Sequence, residues 1–257
     1  GGKRRGQHAP SEQAQHDANS LVRLEQEYTT IAKVAEADHW QNLVEHSGLT
    51  ADQVSDVLAS DAYGPLVAAL RGAESRGLDV TAALPMLVKA RPLADAADIV
   101  AVLHGRGDQW GSAAGTSGAT SRDRSIVGLI PRARHATDPD MSRALNERAA
   151  AMEYRAAQLV SGAIDRHEPW IAALGIPPTE PGPRAEWLRE ARIVAAFREL
   201  HGTTAVSMEK AHTATEAGDA RAALAAIERA RASANGQTPS GPSTVTEPVV
   251  EQIGVQR

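Results

Sequence analysis

Residues 138–166, DPDMSRALNERAAAMEYRAAQLVSGAIDR, decide the fold class. Leu145, Ala149, Met152, Ala156, Leu159 and Ala163 recur at alternating steps of four and three, which aligns them on one stripe of an α-helix and on no face of a strand. Asp138 brings a side-chain acceptor to the free amides of the first turn. Pro139 has the φ of a first helical residue, and Asp140 complements the positive end of the helix dipole. From Met141 to Arg166 the rod spans about 39 Å at roughly 1.5 Å per residue. Alanine alternates with larger groups along the seam, so a neighbouring helix is expected to approach toward the low end of the roughly 8–10 Å interaxial range.

Downstream, Pro169 is expected to kink or end this rod, with a further turn over Trp170, Ile171 and Leu174 before Gly175. Pro177, Pro178 and Pro181 reverse the chain. Pro183 reads as the first residue of an antiparallel partner helix carrying Trp187, Ile193, Ala196, Phe197 and Leu200, which stops at Gly202. A second, weaker hairpin is expected from 205–217 and 220–233, with Gly218-Asp219 as stop and cap. Its Ala222, Leu224 and Ile227 resemble half of a tetratricopeptide-like unit, but no second copy follows at a fixed period. From Asn235 the chain, with Pro239, Pro242 and Pro248, reads as a disordered tail.

Upstream, Leu21, Leu24, Tyr28, Ile31 and Ala35 form the apolar stripe of a helix over about 18–37. Trp40, Leu43 and Val44 continue into a short second helix closed by Gly48. Thr50-Ala51-Asp52-Gln53 has the spacing of a capping box for a helix bearing Val54, Val57 and Leu58. Leu66, Val67 and Leu70 mark the next helix, Asp79 caps residues 80–89 with Pro85 as a local flaw, and Asp95 opens a helix carrying Ile99, Val102 and Leu103. Residues 111–121 have no apolar period and the composition of a flexible linker. The expected organisation is therefore a disordered segment 1–17, an N-terminal helical subdomain 18–110, the linker 111–121, a helical-hairpin subdomain 122–234 and a disordered tail 235–257. The fold class is all-α: helical-bundle subdomains with a long antiparallel helical hairpin.

Composition agrees with that class. Of 257 residues, 42% are hydrophobic but only 3% aromatic, so small and aliphatic side chains must build the core. Alanine is the best helix former while strands select β-branched and aromatic residues, which argues against all-β and Rossmann-type folds. The lack of cysteine excludes disulfides, Cys-ligated zinc, iron–sulfur clusters and thiol chemistry. No apolar stretch has the length of a membrane helix and no signal peptide is visible, so a soluble, cytoplasmic protein with no membrane insertion is expected. A net charge of −5 excludes a general polyanion binder. Residues 1–110 hold ten basic and fifteen acidic side chains, so the acidity lies there. The chain starts at Gly1-Gly2, which read as cloning residue, and its first methionine is Met86, so it reads as a piece of something longer.

Motifs with chemistry of their own are sparse. There is no Gly-x-x-x-x-Gly-Lys-Ser/Thr phosphate loop and no Gly-x-Gly-x-x-Gly. His167-Glu168 is followed by Pro169 without a second histidine four residues on, and His39 and His46 lack a nearby third ligand. No catalytic, metal-binding or cofactor-binding residue is nominated, and no cofactor is expected. The candidate contact is the basic run Arg122, Arg124, Arg132, Arg134 and His135, opposed locally only by Asp123. It has two readings. Either its apolar middle, Ile126 to Pro131, docks a solvated connector on the bundle, or its arginine forks take phosphate or carboxylate from a nucleic acid or an acidic partner. Trp110, Trp170 and Trp187 likewise read as hairpin anchors or as base-stacking platforms.

Five strings occur in order: Ser60-Asp61-Ala62-Tyr63-Gly64-Pro65-Leu66-Val67-Ala68-Ala69-Leu70-Arg71, Leu103-His104-Gly105-Arg106, Gly128-Leu129-Ile130-Pro131-Arg132, Glu168-Pro169-Trp170-Ile171-Ala172-Ala173-Leu174-Gly175, and Trp187 through Ala195-Ala196-Phe197-Arg198. In that order they resemble the C-terminal region of the long MobF-type (TraI/TrwC-like) conjugative relaxase–helicases of high-GC actinobacteria, over roughly residues 20 to 202. The resemblance implies that the whole parent nicks plasmid DNA with tyrosines beside a histidine-bound metal and unwinds it with a helicase motor. Neither the tyrosine pair, the metal cluster nor the phosphate loop has a counterpart in this sequence, so no catalytic residue carries over. What it implies for this chain is a non-catalytic tail that links the relaxosome to the coupling protein of a type IV secretion channel. The alternative is an accessory DNA-binding module using 122–135. Oligomeric state is not legible in the sequence.

Overall fold

The computed structural model describes residues 20–90, 98–113, 125–203, 206 and 213–236. The expected disordered segment 1–17, Asp95, residues 114–121 of the expected linker, Arg122, Arg124 and the tail from 237 lie outside them. The described chain is all-α apart from one two-stranded ribbon. Its elements are α1 (Leu21–Ala35), α2 (Ala37–Glu45), α3 (Ala51–Ala59), α4 (Tyr63–Ser75), α5 (Val80–Lys89), α6 (Ile99–Ala113), β1 (Ser125–Ile126), β2 (Ile130–Pro131), α7 (Pro139–Asp165), α8 (Pro169–Ala172), α9 (Pro181–Leu200) and α10 (Ala214–Ala234). No helix among the described residues is long and apolar enough to cross a membrane.

Side-chain caps set most helix starts. Asp138 accepts from the Met141 amide at 2.8 Å, and Thr50 and Gln53 form the expected reciprocal box, at 3.3 and 3.0 Å. Asp79 caps α5 through Ala82. The α6 amides of Val100 and Ala101 turn to Asp98, at 2.9 and 3.0 Å, so the cap lies three residues beyond the expected Asp95. Gly111, Ser112 and Ala113, expected in the linker, form the last turn of α6. The partner helix starts at Pro181 rather than Pro183, because a proline fits the first turn equally well two residues earlier.

The described residues bury three main apolar groups. The first joins α2 to α6 through Trp40, Val57, Leu66, Leu70, Leu84 and Leu103. The second joins Leu21, Leu24, Tyr28 and Ala32 of α1 to Ile126, Val127 and Ile130 and to Leu145, Ala149, Met152 and Ala156 of α7, with Ala196 of α9. The third joins Val160 and Ala163 at the other end of α7 to Trp187 and Ala191 of α9 and Ala226 and Ala230 of α10. Early α7 thus meets late α9, and late α7 meets early α9: the two run antiparallel. The α7 seam is as expected except that Val160 is fully buried while Leu159 is only partly so. α1, which the sequence groups with residues before 110, packs on α7 because its stripe is complementary to the α7 seam.

The expected break at Gly218-Asp219 is absent. α10 runs without interruption from Ala214 to Ala234, capped by Thr213 through the Glu216 amide at 3.1 Å. A mid-helix glycine costs only about 1 kcal/mol relative to alanine. That cost is offset by Ala220, Ala223, Ala226 and Ala230, which are buried as one continuous stripe. Leu224 is 37% exposed, while Ile227 packs partly buried against the third group.

Candidate partner interface on the 125–136 segment

The segment carrying the candidate basic residues begins with a structure that the helical reading did not contain. β1 and β2 pair antiparallel, with Ile126 opposite Ile130, and the Leu129 amide closes the turn onto the Ile126 carbonyl at 3.1 Å. Both central residues of that turn are left-handed, Val127 at φ 47° and Gly128 at φ 73°, a backbone twist that suits twisted strands, and Leu129 completes a three-residue loop. A Cβ on Gly128 would lie 2.7 Å from Ile193 Cδ1, so the hairpin tip is pressed directly onto α9. Ile126, Val127 and Ile130 are buried. The apolar middle of the basic run is therefore docked on the bundle. The strand signal is two aliphatic residues on either side of one glycine, Ile126-Val127 and Leu129-Ile130, too short to compete with the helical periodicity around it.

The strap that follows β2 is held from both sides. The Ala133 amide donates to the Tyr28 hydroxyl at 2.7 Å. The amides of Arg134 and His135 both donate to Glu36 Oε1, at 2.6 and 2.9 Å. Glu36 lies between α1 and α2 and is only 1% exposed. Its other oxygen accepts from Trp40 Nε1 at 3.3 Å and Arg71 Nε at 2.8 Å, with Arg71 Nη2 also at 2.8 Å. A buried carboxylate is tolerated only when charge and hydrogen bonds are both satisfied, and here one side chain ties α1, α2, α4 and the strap together. His135 continues the network, its Nε2 lying 2.8 Å from Glu74 Oε1. Its ring stacks on His39 at 3.5 Å with 6° between planes, and Trp40 meets both imidazoles edge-on. Burial, and then the neighbouring His135, push the His39 imidazole below its ordinary range.

The five candidate residues therefore separate. Arg122 and Arg124 lie outside the described residues. Arg132 reaches Glu153 only at 3.9 Å, and Glu153 also accepts the Val127 amide at 2.8 Å. His135 is engaged by Glu74. Arg134 is exposed and makes no side-chain ion pair among the described residues. Glu36, Arg71 and Glu74, which position the segment, went unnoticed in the sequence. Glu36 was legible in part, as an acid between the alanines that end α1 and open α2, four residues before a tryptophan.

Elsewhere, Trp187 is fully buried and donates to the Leu174 carbonyl at 3.1 Å, an anchor rather than a stacking surface. Trp170 carries the Arg198 guanidinium 5.1 Å from its ring centre and lines a cavity of about 470 Å³ between α8, α9 and α10. At the far end of α9, His201 Nε2 lies 3.1 Å from Asp219 Oδ2. Burial raises the Asp219 carboxyl to about 6 despite that imidazole, and burial together with Asp219 raises the nearby Glu25. Among the described residues no group of three or more His, Cys, Asp or Glu is placed to hold a metal ion. The chain matches no family model, no curated protein and no solved structure.

Proposed function

We propose that this chain is a helical interaction module, the non-catalytic C-terminal part of a conjugative relaxase. It works in the donor cytoplasm and joins the relaxosome to the coupling protein of a type IV secretion channel. The ordered series of strings over roughly residues 20–202 supplies the family reading. The observation that carries the choice of a protein partner is the fixed strap at 132–136. Its backbone is locked by Tyr28 and Glu36, while carboxylates of the same chain already lie against two of its three described basic groups. A surface that binds DNA gains affinity by releasing counterions from several phosphates, and internally paired cations contribute little to that. A preorganised strap on a rigid helical scaffold suits protein recognition, because little conformational entropy is lost on docking.

The test uses the parent relaxase with this region deleted. Plasmid transfer between cells is expected to fall while nicking at the transfer origin in vitro persists, and the purified chain is expected to retain purified coupling protein or relaxosome components on a column. Unchanged transfer, or no retention of any of these proteins, rejects the reading. Arg134 favours a second reading, an accessory DNA-binding module using 122–135, since it is exposed and makes no side-chain ion pair among the described residues. Salt-dependent anisotropy of labelled transfer-origin DNA that disappears in Arg132→Ala/Arg134→Ala would favour it over the first.

A further inference from the structure

The His39–His135 stack lies where the first and second apolar groups meet, and nothing in the proposed partner role uses it. His39 stands on α2, whose Trp40 belongs to the first group; His135 stands on the strap, whose Ala133 and Ala136 pack on the second. Glu74 on α4 lies 2.8 Å from His135 Nε2, whereas His39 Nε2 is enclosed without a hydrogen-bond partner. The other charged groups around the pair are Glu36 at the α1–α2 junction, Arg71 on α4, which already matches Glu36, and Arg134 on the strap. Among the described residues a carboxylate, Glu74, meets the ring of His135, and none meets a ring nitrogen of His39. A second proton on His39 would place like charges face to face with ring centres 3.5 Å apart, one of them with a nitrogen shut off from water.

We propose that the stacked imidazoles of His39 and His135 form an acid-sensitive latch that holds the 132–136 strap on α2 and α4 near neutral pH and releases it on acidification. The closed state disfavours protonation of His39, while separation restores an ordinary, hydrated imidazole. The open state therefore binds more protons, and closure weakens as pH falls through the usual imidazole range. For one linked proton the closed-to-open ratio falls at most about tenfold per pH unit. The strap amides of Arg134 and His135 are direct reporters, since both are bonded to Glu36 when the latch is closed.

The experiment is an amide and imidazole NMR titration of the full chain from about pH 8 to about pH 5, a range that spans ordinary histidine titration. The Arg134 and His135 amides are expected to lose their Glu36-bonded shifts in one transition coincident with titration of the His39 ring. His39→Phe keeps an aromatic stack without the second charge, and is expected to remove the transition or lower its midpoint by about one pH unit or more. If that variant fails to fold, His39→Gln likewise removes the titrating imidazole and carries the same expectation. Amides that keep their shifts down to about pH 5 overturn the latch. So does an unchanged midpoint in the folded variant, which would place the titrating group elsewhere.

Discussion

The α2–α6 core and the α9–α10 contact are both helical, yet they are built on opposite plans. The first fills space with branched and aromatic groups, Trp40, Leu66, Leu70, Leu84 and Leu103, contributed by short helices. The second, the most extensive helix pair among the described residues, meets through Ala220, Ala223, Ala226 and Ala230 of α10 and Ala191 and Ala195 of α9. Volume carries the first and proximity the second. A polar tie seals each: Glu36 with Arg71 beside the first, and Glu190, 2% exposed and 2.8 Å from Arg229, inside the second. Removing side-chain volume should therefore break one region, and adding it should break the other.

The largest effect is expected at the polar tie beside the first region. Glu36→Ala leaves the Arg71 guanidinium buried without its carboxylate, strips the acceptor from two strap amides and frees Trp40 Nε1. Removing one partner of such a pair typically costs about 3–5 kcal/mol. Urea unfolding should show that loss, and a change under about 1 kcal/mol would mean that water replaces the carboxylate without penalty.

Next come the paired tests of volume against proximity. Leu70→Ala, at a site 1% exposed, should destabilise by about 2–5 kcal/mol through lost transfer energy and a cavity. Ala226→Leu, at a site with no exposure, should cost about 1–3 kcal/mol or more by forcing α9 and α10 apart. If Ala226→Leu is neutral in thermal and urea unfolding, the alanine stripe is not close-packed and the contrast between the regions fails.

That contrast also explains what was legible. Large side chains at helical spacing, such as Leu21, Leu24 and Tyr28, and caps such as Thr50 and Asp138, announce themselves because their local physics is one-sided. The alanine stripe of α10 does not: alanine is equally at home inside and out, so the sequence marks no buried face there and Gly218 reads as a stop, although tertiary packing carries the helix through it. Of the candidate interface, the basic residues and the docking of the apolar middle were readable. The hairpin was not, nor was the positioning of the strap by Glu36, Arg71 and Glu74, which are 98, 63 and 60 or more residues from Arg134 in the chain and are brought together only by the fold.

A smaller, pH-dependent test lies where α10 meets the end of α9. Asp219 titrates near about 6 when folded against an ordinary 3.8. A raised carboxyl contributes its full stability below the ordinary value and loses it as pH rises through about 6. Asp219→Asn retains an acceptor for His201 without the charge. Its melting temperature is expected to exceed that of the wild type above pH 6, by the equivalent of about 1–3 kcal/mol, and the two should converge toward pH 4. Parallel curves would show that the charge is not what burial penalises there.

The smallest effects should appear on the two sides of α8, and with opposite signs. His167 sits exposed at φ 52°, in the left-handed position that closes α7, where the Glu168 amide returns to the Ala163 carbonyl at 2.9 Å. That conformation costs a side-chain-bearing residue about 1–2 kcal/mol, but glycine is also freer in the unfolded chain, so His167→Gly should gain a net few tenths to about 1 kcal/mol. Gly175, at φ 83°, is left-handed too, yet an added Cβ would lie 2.9 Å from the Ala234 Cβ of α10. Gly175→Ala adds a clash to the backbone strain and should destabilise by at least about 1–2 kcal/mol. Equal and small effects at both positions would mean that the end of α10 is not held against this turn, and the proximity that distinguishes the alanine-built region would then stop short of residue 234.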